Sequence, residues 1–259
     1  MLSEVTVSGR KLFFWKNDGG FSADRKSLVF IHGSGGSHED WNQQITSLKN
    51  DFNIAAPDLP GHGQSEGNGE SDVFAYVETM DKFIKSAGII KPILIGHSLG
   101  AAICLGFAIR YGNSAAAIVP VGGGVKMPVN SLILDGLKKD PGTTIAMIAK
   151  ISITKTNREK YAGLIAEAIS RVKPEIISGD FMACNRLDIT DKISGITIPA
   201  MIICGREDKM TPPALSEYLR DNIPGAKLSL IPEAGHFAML ENPQGFNKAV
   251  ADFVHSLPS

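Results

Sequence analysis

Ile93-Leu94-Ile95-Gly96-His97-Ser98-Leu99-Gly100-Ala101-Ala102 runs from apolar residues, through Gly-x-Ser-x-Gly, into a string of small residues. The order is that of a buried strand, a sharp turn and a helix. A serine at the tip of such a turn sits in a strained backbone conformation, which needs glycine two residues to either side. Its hydroxyl then stands clear of the sheet, and the next backbone N–H, that of Leu99, points at the same spot. One turn thus supplies a candidate nucleophile, Ser98, and a candidate oxyanion donor. The five-residue pattern occurs by chance in about one chain in ten of this length, so its weight comes from the strand before it and the helix after it.

Outward from this turn, β-rich runs alternate with helical patterns. Residues 5–7, 12–15, 28–31, 54–56, 93–95, 116–121, 201–204 and 228–231 read as eight strands. The last six are dense apolar runs, as expected of strands buried on both faces. Helical patterns over about 39–49, 72–87, 99–111, 213–222 and 243–256 fall between or after them. This alternation predicts an α/β fold, a mostly parallel eight-stranded sheet with helices on both faces. Residues 125–187 break the rhythm. Tyr161, Leu164, Ile165, Ala168, Ile169 and Val172 recur at the spacing of one helix face. Ile177, Phe181 and Cys184 continue after Pro174, while Leu134, Leu137 and residues 145–151 predict two more helices around Pro141-Gly142. The expected organisation is a core of residues 1–124 and 188–259 with an all-helical cap insertion at 125–187.

Composition bounds the partners. The 259 residues suffice for one large domain. A formal net charge of −1 gives neither nucleic acid nor an anionic membrane a global attraction. No apolar run approaches the roughly 20 residues of a membrane span, and the first residues show no basic segment leading into an apolar core. Cys104, Cys184 and Cys204 fall within helix or strand patterns and read as buried reduced thiols. The expectation is a cytoplasmic protein acting on a small molecule, without metal, cofactor or nucleic acid. The sequence leaves its oligomeric state open.

A serine hydroxyl is a poor nucleophile at neutral pH; it needs a base, and the base an orienting carboxylate. Among six histidines, His236 lies in Pro232-Glu233-Ala234-Gly235-His236-Phe237, directly after the last strand, and is the candidate base. His32 and His62 lie in glycine-rich loops, His38 near a helix start and His255 in the C-terminal helix pattern. His97 is inside the turn, directed away from Ser98, and is expected to pack. Asp208, in Ile203-Cys204-Gly205-Arg206-Glu207-Asp208-Lys209-Met210-Thr211-Pro212, also follows a strand directly. Catalytic groups in open parallel sheets gather at such strand ends. Glu207 is the adjacent alternative; the Gly-x-x-Asp-x-x-x-Pro spacing favours Asp208, placing it beyond the turn at Gly205. The second oxyanion donor is expected from His32-Gly33-Ser34-Gly35-Gly36-Ser37, where glycines let the backbone approach a substrate oxygen. The Ser34 N–H would join that of Leu99. This loop lacks the Gly-Lys-Ser/Thr ending of a phosphate-binding loop.

With these pieces on one chain, the sequence resembles the α/β-hydrolase superfamily, in its serine-nucleophile branch, over essentially its whole length. The matching motifs are His32-Gly33-Ser34-Gly35-Gly36, Pro57-Asp58-Leu59-Pro60-Gly61-His62-Gly63-Gln64-Ser65, the turn at Ser98, residues 205–212 and Gly235-His236. The order Ser98, Asp208, His236 is that of the superfamily and differs from both major serine-protease orders. The resemblance implies that Asp58 and His62 are scaffold and that residues 125–187 roof the active site. It also implies a carboxylesterase-like activity, cleaving a small-molecule carboxylic ester through an acyl-enzyme. A carbon–carbon bond hydrolase or lyase of the same superfamily is the alternative, and a ligand-binding protein retaining the triad is the alternative of another class. Residues 125–187 hold ten basic against six acidic residues. That excess fits either a preference for anionic substrates or ordinary solvated helix faces.

Overall fold

The computed structural model describes residues 1–258. Among them, eight strands form one sheet: β1 (Leu2–Val7), β2 (Arg10–Lys16), β3 (Ser27–Ile31), β4 (Asn53–Pro57), β5 (Ile93–His97), β6 (Ala117–Val121), β7 (Met201–Gly205) and β8 (Lys227–Ile231). The order across the sheet is β1-β2-β4-β3-β5-β6-β7-β8. β1 with β2 and β2 with β4 pair antiparallel, and β4, β3, β5, β6, β7 and β8 are parallel neighbours in that order. Each expected run falls on one of these strands. Ten α-helices accompany them among the described residues: α1 (Asn42–Leu48), α2 (Val73–Ser86), α3 (Leu99–Tyr111), α4 (Ser131–Lys139), α5 (Pro141–Ser152), α6 (Arg158–Ser170), α7 (Pro174–Arg186), α8 (Pro213–Asn222), α9 (Ala238–Glu241) and α10 (Pro243–Ser256).

Successive strand residues face opposite sides of the sheet, and that alternation sorts the core into two layers. On β3, Val29 and Ile31 pack with Val77, Ile103, Phe107 and Leu219 from α2, α3 and α8. Leu28 and Phe30 pack on the other side with Ile45, Phe246 and Val250 from α1 and α10. A sheet covered on both faces demands strands apolar at every position, which is why these runs lack polar alternation. β8 departs from the expectation of two-sided burial. It is one of the two edge strands, and Leu228, Ser229 and Leu230 are half-buried.

Helices α4 to α7 lie between β6 and β7 in the chain and have an apolar centre of their own, built by Ile133, Leu137, Ile145, Ile148, Ile165 and Ile177. Local signals start them. The Asn130 side chain accepts from Leu132 N, and Asp140 accepts from Thr143 N with Pro141 opening α5. Two positions differ from the helix faces read from sequence. Ile133 is buried where Leu134 is half-buried, and Leu164 is 61 % exposed. The three cysteines are free and buried. Burial pushes the thiols of Cys184 and Cys204 up to about 12, so neither is a thiolate near neutrality. No described helix is long and apolar enough to cross a membrane.

Candidate active site

Ser98 stands between β5 and α3 with φ 54° and ψ −111°, a conformation that costs a non-glycine residue on the order of 1–3 kcal/mol. Its surroundings hold it there. The Ser98 N–H donates to the Val121 carbonyl at 2.9 Å. A Cβ on Gly96 would run into the Gly100 carbonyl, and one on Gly100 into the Ile31 carbonyl. The two glycines of the motif thus allow β5, the turn and the first turn of α3 to close against β3. Ser98 is half-buried while both its neighbours are buried, so its side chain is the part of the turn left accessible.

β7 and β8 lead into the candidate carboxylate, Asp208, and the candidate base, His236. Asp208 lies three residues after β7 and is buried. Its Oδ1 accepts from Met210 N at 2.8 Å and Thr211 N at 2.9 Å; its Oδ2 accepts from Thr211 Oγ1 at 2.8 Å. The His236 Nδ1 lies 2.8 Å from the same Oδ2. Burial works against the charged form of Asp208, but the His236 ring and the Thr211 donors outweigh it and hold the carboxyl below its ordinary range. The Nδ1–H of His236 then donates to a carboxylate, which leaves Nε2 as the basic atom. Glu207 is exposed and takes no part in this contact.

His97 does more than pack. Its Nε2–H donates to the His236 carbonyl at 3.0 Å, and its ring centroid lies 4.6 Å from that of His236. Burial drives its pKa well down, so it is a neutral donor. From the other side, the His236 N–H donates to the Ser152 carbonyl at 2.7 Å, at the end of α5. Glu241, on α9, receives Gly235 N at 2.7 Å and Thr154 N at 2.9 Å. His236 therefore sits on a loop fixed by β5 and by the helical insertion together.

The loop after β3 completes the arrangement. Gly33 lies against the turn, where a Cβ would come within 2.9 Å of His97 Nδ1 and 3.2 Å of Ser98 Cβ. The Ser34 N–H has no acceptor among the described residues, and Leu99, the first residue of α3, has no intrahelical acceptor. His32 is buried and its pKa falls to about 4, through desolvation and the neighbouring His62. It is neutral, donating from Nδ1 to Gly33 O at 2.8 Å while Nε2 accepts from Leu59 N at 2.9 Å. Asp58 accepts from the backbone N–H groups of His38 and Gln64 and lies 2.8 Å from His38 Nδ1. Asp58 and His62 thus organise loops rather than face the cavity.

Ser98, His236 and Ser34 line one cavity of about 440 Å³. Its wall is largely apolar, with Ile148, Ile165 and Ile169 from the insertion and Leu240 from α9. Its acidic residues are Glu39, Asp40 and Glu167, and its one cation among the described lining residues is Arg171. Arg171 is already paired, at 3.1 Å to each of Glu39 and Glu167. Lys138 and Lys139 do not reach this cavity. Four residues at this site escaped the sequence reading of function: Thr211, Glu241, the hydrogen-bonding role of His97, and Asp180, which accepts from Gly35 N at 3.0 Å. Only Thr211 carried a signal, since it falls inside the Asp208 motif.

The chain matches known proteins along almost its entire length. It is 27 % identical to a 2-hydroxy-6-oxononadienedioate/2-hydroxy-6-oxononatrienedioate hydrolase of Burkholderia vietnamiensis, over 96 % of this chain and 93 % of that one. It is 23 % identical to a pimeloyl-[acyl-carrier protein] methyl ester esterase of Neisseria meningitidis, over 90 % and 94 %. Among solved structures, the enol-lactonase of Burkholderia xenovorans superposes with a TM-score of 0.90 at 19 % identity, covering 98 % of this chain and all of that one. A thermophilic esterase superposes with a TM-score of 0.85 at 29 % identity, covering 98 % and 97 %. The sequence profile of the alpha/beta hydrolase family matches residues 28–249, a span that includes the turn at Ser98, the loop after β3 and the Asp208–His236 pair. By that match, and by its eight-stranded sheet, this chain belongs to the alpha/beta hydrolase family.

Proposed function

We propose that the protein is a serine hydrolase of small carboxylic esters, with Ser98 as nucleophile, His236 as base and Asp208 as orienting carboxylate. The observation that carries this reading is the 2.8 Å Asp208–His236 contact, behind a cavity that His236 shares with the strained Ser98. As Ser98 Oγ adds to the ester carbonyl carbon, His236 Nε2 takes its proton. The carbonyl π pair moves onto oxygen, between the N–H groups of Ser34 and Leu99. Collapse breaks the bond to the alkoxy oxygen, which leaves with the proton from His236. Water then attacks the acyl-Ser98 by the same route in reverse and releases the acid. Each oxyanion donor is worth about 10²–10³ in rate. The mainly apolar wall suits a neutral acyl or alcohol chain. Labelling by a fluorophosphonate, blocked in Ser98→Ala, tests the nucleophile; lack of labelling in the folded native protein would count against it.

Cleavage of a carbon–carbon bond is the second reading, supported by the name of the Burkholderia vietnamiensis relative. That name specifies a dioate, and two carboxylates need cationic partners. The cavity here offers only Arg171, held between Glu39 and Glu167. Turnover of p-nitrophenyl butyrate beside a vinylogous 1,5-diketone acid ranks the two readings; we expect the ester to be preferred.

The acidic wall also has a pH signature. Burial pushes the Asp40 carboxyl up to about 7, helped by the charges of Asp58 and Glu39 and opposed by a backbone hydrogen bond from Ser37. Below that pH the group is neutral; above it the cavity gains a negative charge. Between pH 6 and 8, esters bearing a carboxylate should lose kcat/KM relative to neutral esters by about fivefold, as for unit charges roughly 10 Å apart in a partly aqueous medium. Asp40→Asn should abolish that differential. Lys138→Glu and Lys139→Glu, remote from the cavity, should change neither substrate. A differential that survives in Asp40→Asn would remove Asp40 as its source.

A further inference from the structure

The helical insertion contains a buried carboxylate that the steps above do not use. Asp180, on α7, has no exposed surface, and neither do His62 and Tyr76 beside it. Its Oδ1 accepts from Tyr76 Oη at 2.6 Å. Its Oδ2 lies 2.9 Å from His62 Nε2 and accepts from Gly35 N at 3.0 Å. Burial opposes a charged His62, yet the adjacent Asp180 outweighs it and raises the imidazole pKa. The second His62 nitrogen, Nδ1, donates to Pro60 O at 3.1 Å. The Tyr76 hydroxyl is pushed further above its ordinary range and stays a neutral donor.

A buried histidine–carboxylate contact of this kind contributes little net stability, because the cost of desolvating the two groups offsets their attraction. What it fixes is position. The Ser34 N–H belongs to the peptide unit whose carbonyl is Gly33 O. That carbonyl is held by His32 Nδ1–H at 2.8 Å and by Gly36 N–H at 3.1 Å. The next peptide unit, carrying Gly35 N–H, is held by Asp180. Gly35 itself has φ 68°, and its Cα faces Ile169 and Ile177 of the insertion. Two clamps therefore bracket the Ser34 N–H, one from the core and one from a residue 145 positions further along the chain.

We propose that Asp180 is a positioning residue for the oxyanion loop: the helical insertion, through this carboxylate, sets the direction of the Ser34 N–H. Seating of the insertion then governs turnover as well as substrate choice. This rests on Ser98 acting as the nucleophile. With p-nitrophenyl butyrate, Asp180→Asn should lower kcat about 10- to 100-fold, part or all of one oxyanion donor, with KM within about twofold. Affinity for an aryl trifluoromethyl ketone, which adds to serine and forms the oxyanion, should fall in the same ratio as kcat/KM. Tyr76→Phe removes a different bond to the same carboxylate. It should lower Tm while leaving kcat near native, a separation that a purely structural role would not produce. Should Asp180→Asn not fold, Asp180→Glu keeps the charge, displaces the acceptor by one methylene and should show the same split. Native kcat in whichever variant folds, or failure of both to fold, would overturn the proposal. Ser98→Ala in the same assay separates the two levels: turnover retained there removes the hydrolase reading itself, whereas turnover lost there but native in Asp180→Asn removes only the role of Asp180.

Discussion

Ser98→Ala is expected to lower ester turnover by about five to six orders of magnitude, and adding His236→Ala should cost almost nothing more. A nucleophile and its base act as one unit, so removing either leaves only the residual catalysis of the oxyanion donors and of binding. The backbone should tolerate the change. Alanine meets the same φ 54° at this position that serine does, and the glycines that make room for the turn are untouched. Steady-state kinetics with p-nitrophenyl butyrate, alongside a Tm to show folding, give the comparison. Near-native turnover in Ser98→Ala, or a double variant far worse than either single one, would break the assignment.

Asp208→Asn should cost on the order of 10⁴ in kcat, the loss seen when an orienting carboxylate becomes an amide that cannot hold the imidazole in the right tautomer. Glu207→Gln should lie near native, since Glu207 is exposed and the contact to His236 belongs to its neighbour. The reverse ranking would move the orienting role back by one residue. The same substitution has a stability arm. The folded Asp208 carboxyl lies below its ordinary range, so its ionised form stabilises the fold at neutral pH, and that contribution is lost as pH falls through the folded value. The Tm deficit of Asp208→Asn should therefore be larger at pH 7 than in acid.

The parts of this fold legible in the sequence are those whose cause is local. β3 through β7 are apolar at nearly every position because helices cover both faces, and the Ser98 turn needs glycines at fixed offsets. α4 and α5 are legible from Leu134, Leu137 and residues 145–151 around the break at Pro141-Gly142. The parts that were not legible depend on where distant segments meet. Glu241 sits on α9, a four-residue helix too short for a periodic signal, and one of its oxygens serves Thr154 N, 87 residues back in the chain. Asp180 reads as one more polar residue on an amphipathic helix until α7 is laid against the loop after β3. The charge of the insertion misleads for a related reason. Its basic excess is counted over the whole segment, whereas the cavity meets only Arg171 from that set, already neutralised by two glutamates.

The helices of the insertion are not equivalent in what ties them down. The end of α5 receives the His236 N–H, the segment after it binds Glu241 through Thr154 N, and α7 holds Gly35. α6 contributes Ile165, Ala168 and Ile169 to the cavity wall without a comparable backbone tie to these loops. Such a division separates what can be recombined from what must travel together. A chimera that exchanges 158–170 with a relative but keeps Ile169 against Gly35 changes the wall and leaves the loops around Ser98 seated. One that grafts the entire insertion must bring partners for Glu241, His62 and the Gly35 N–H, or it imports a new specificity into an enzyme with slowed turnover.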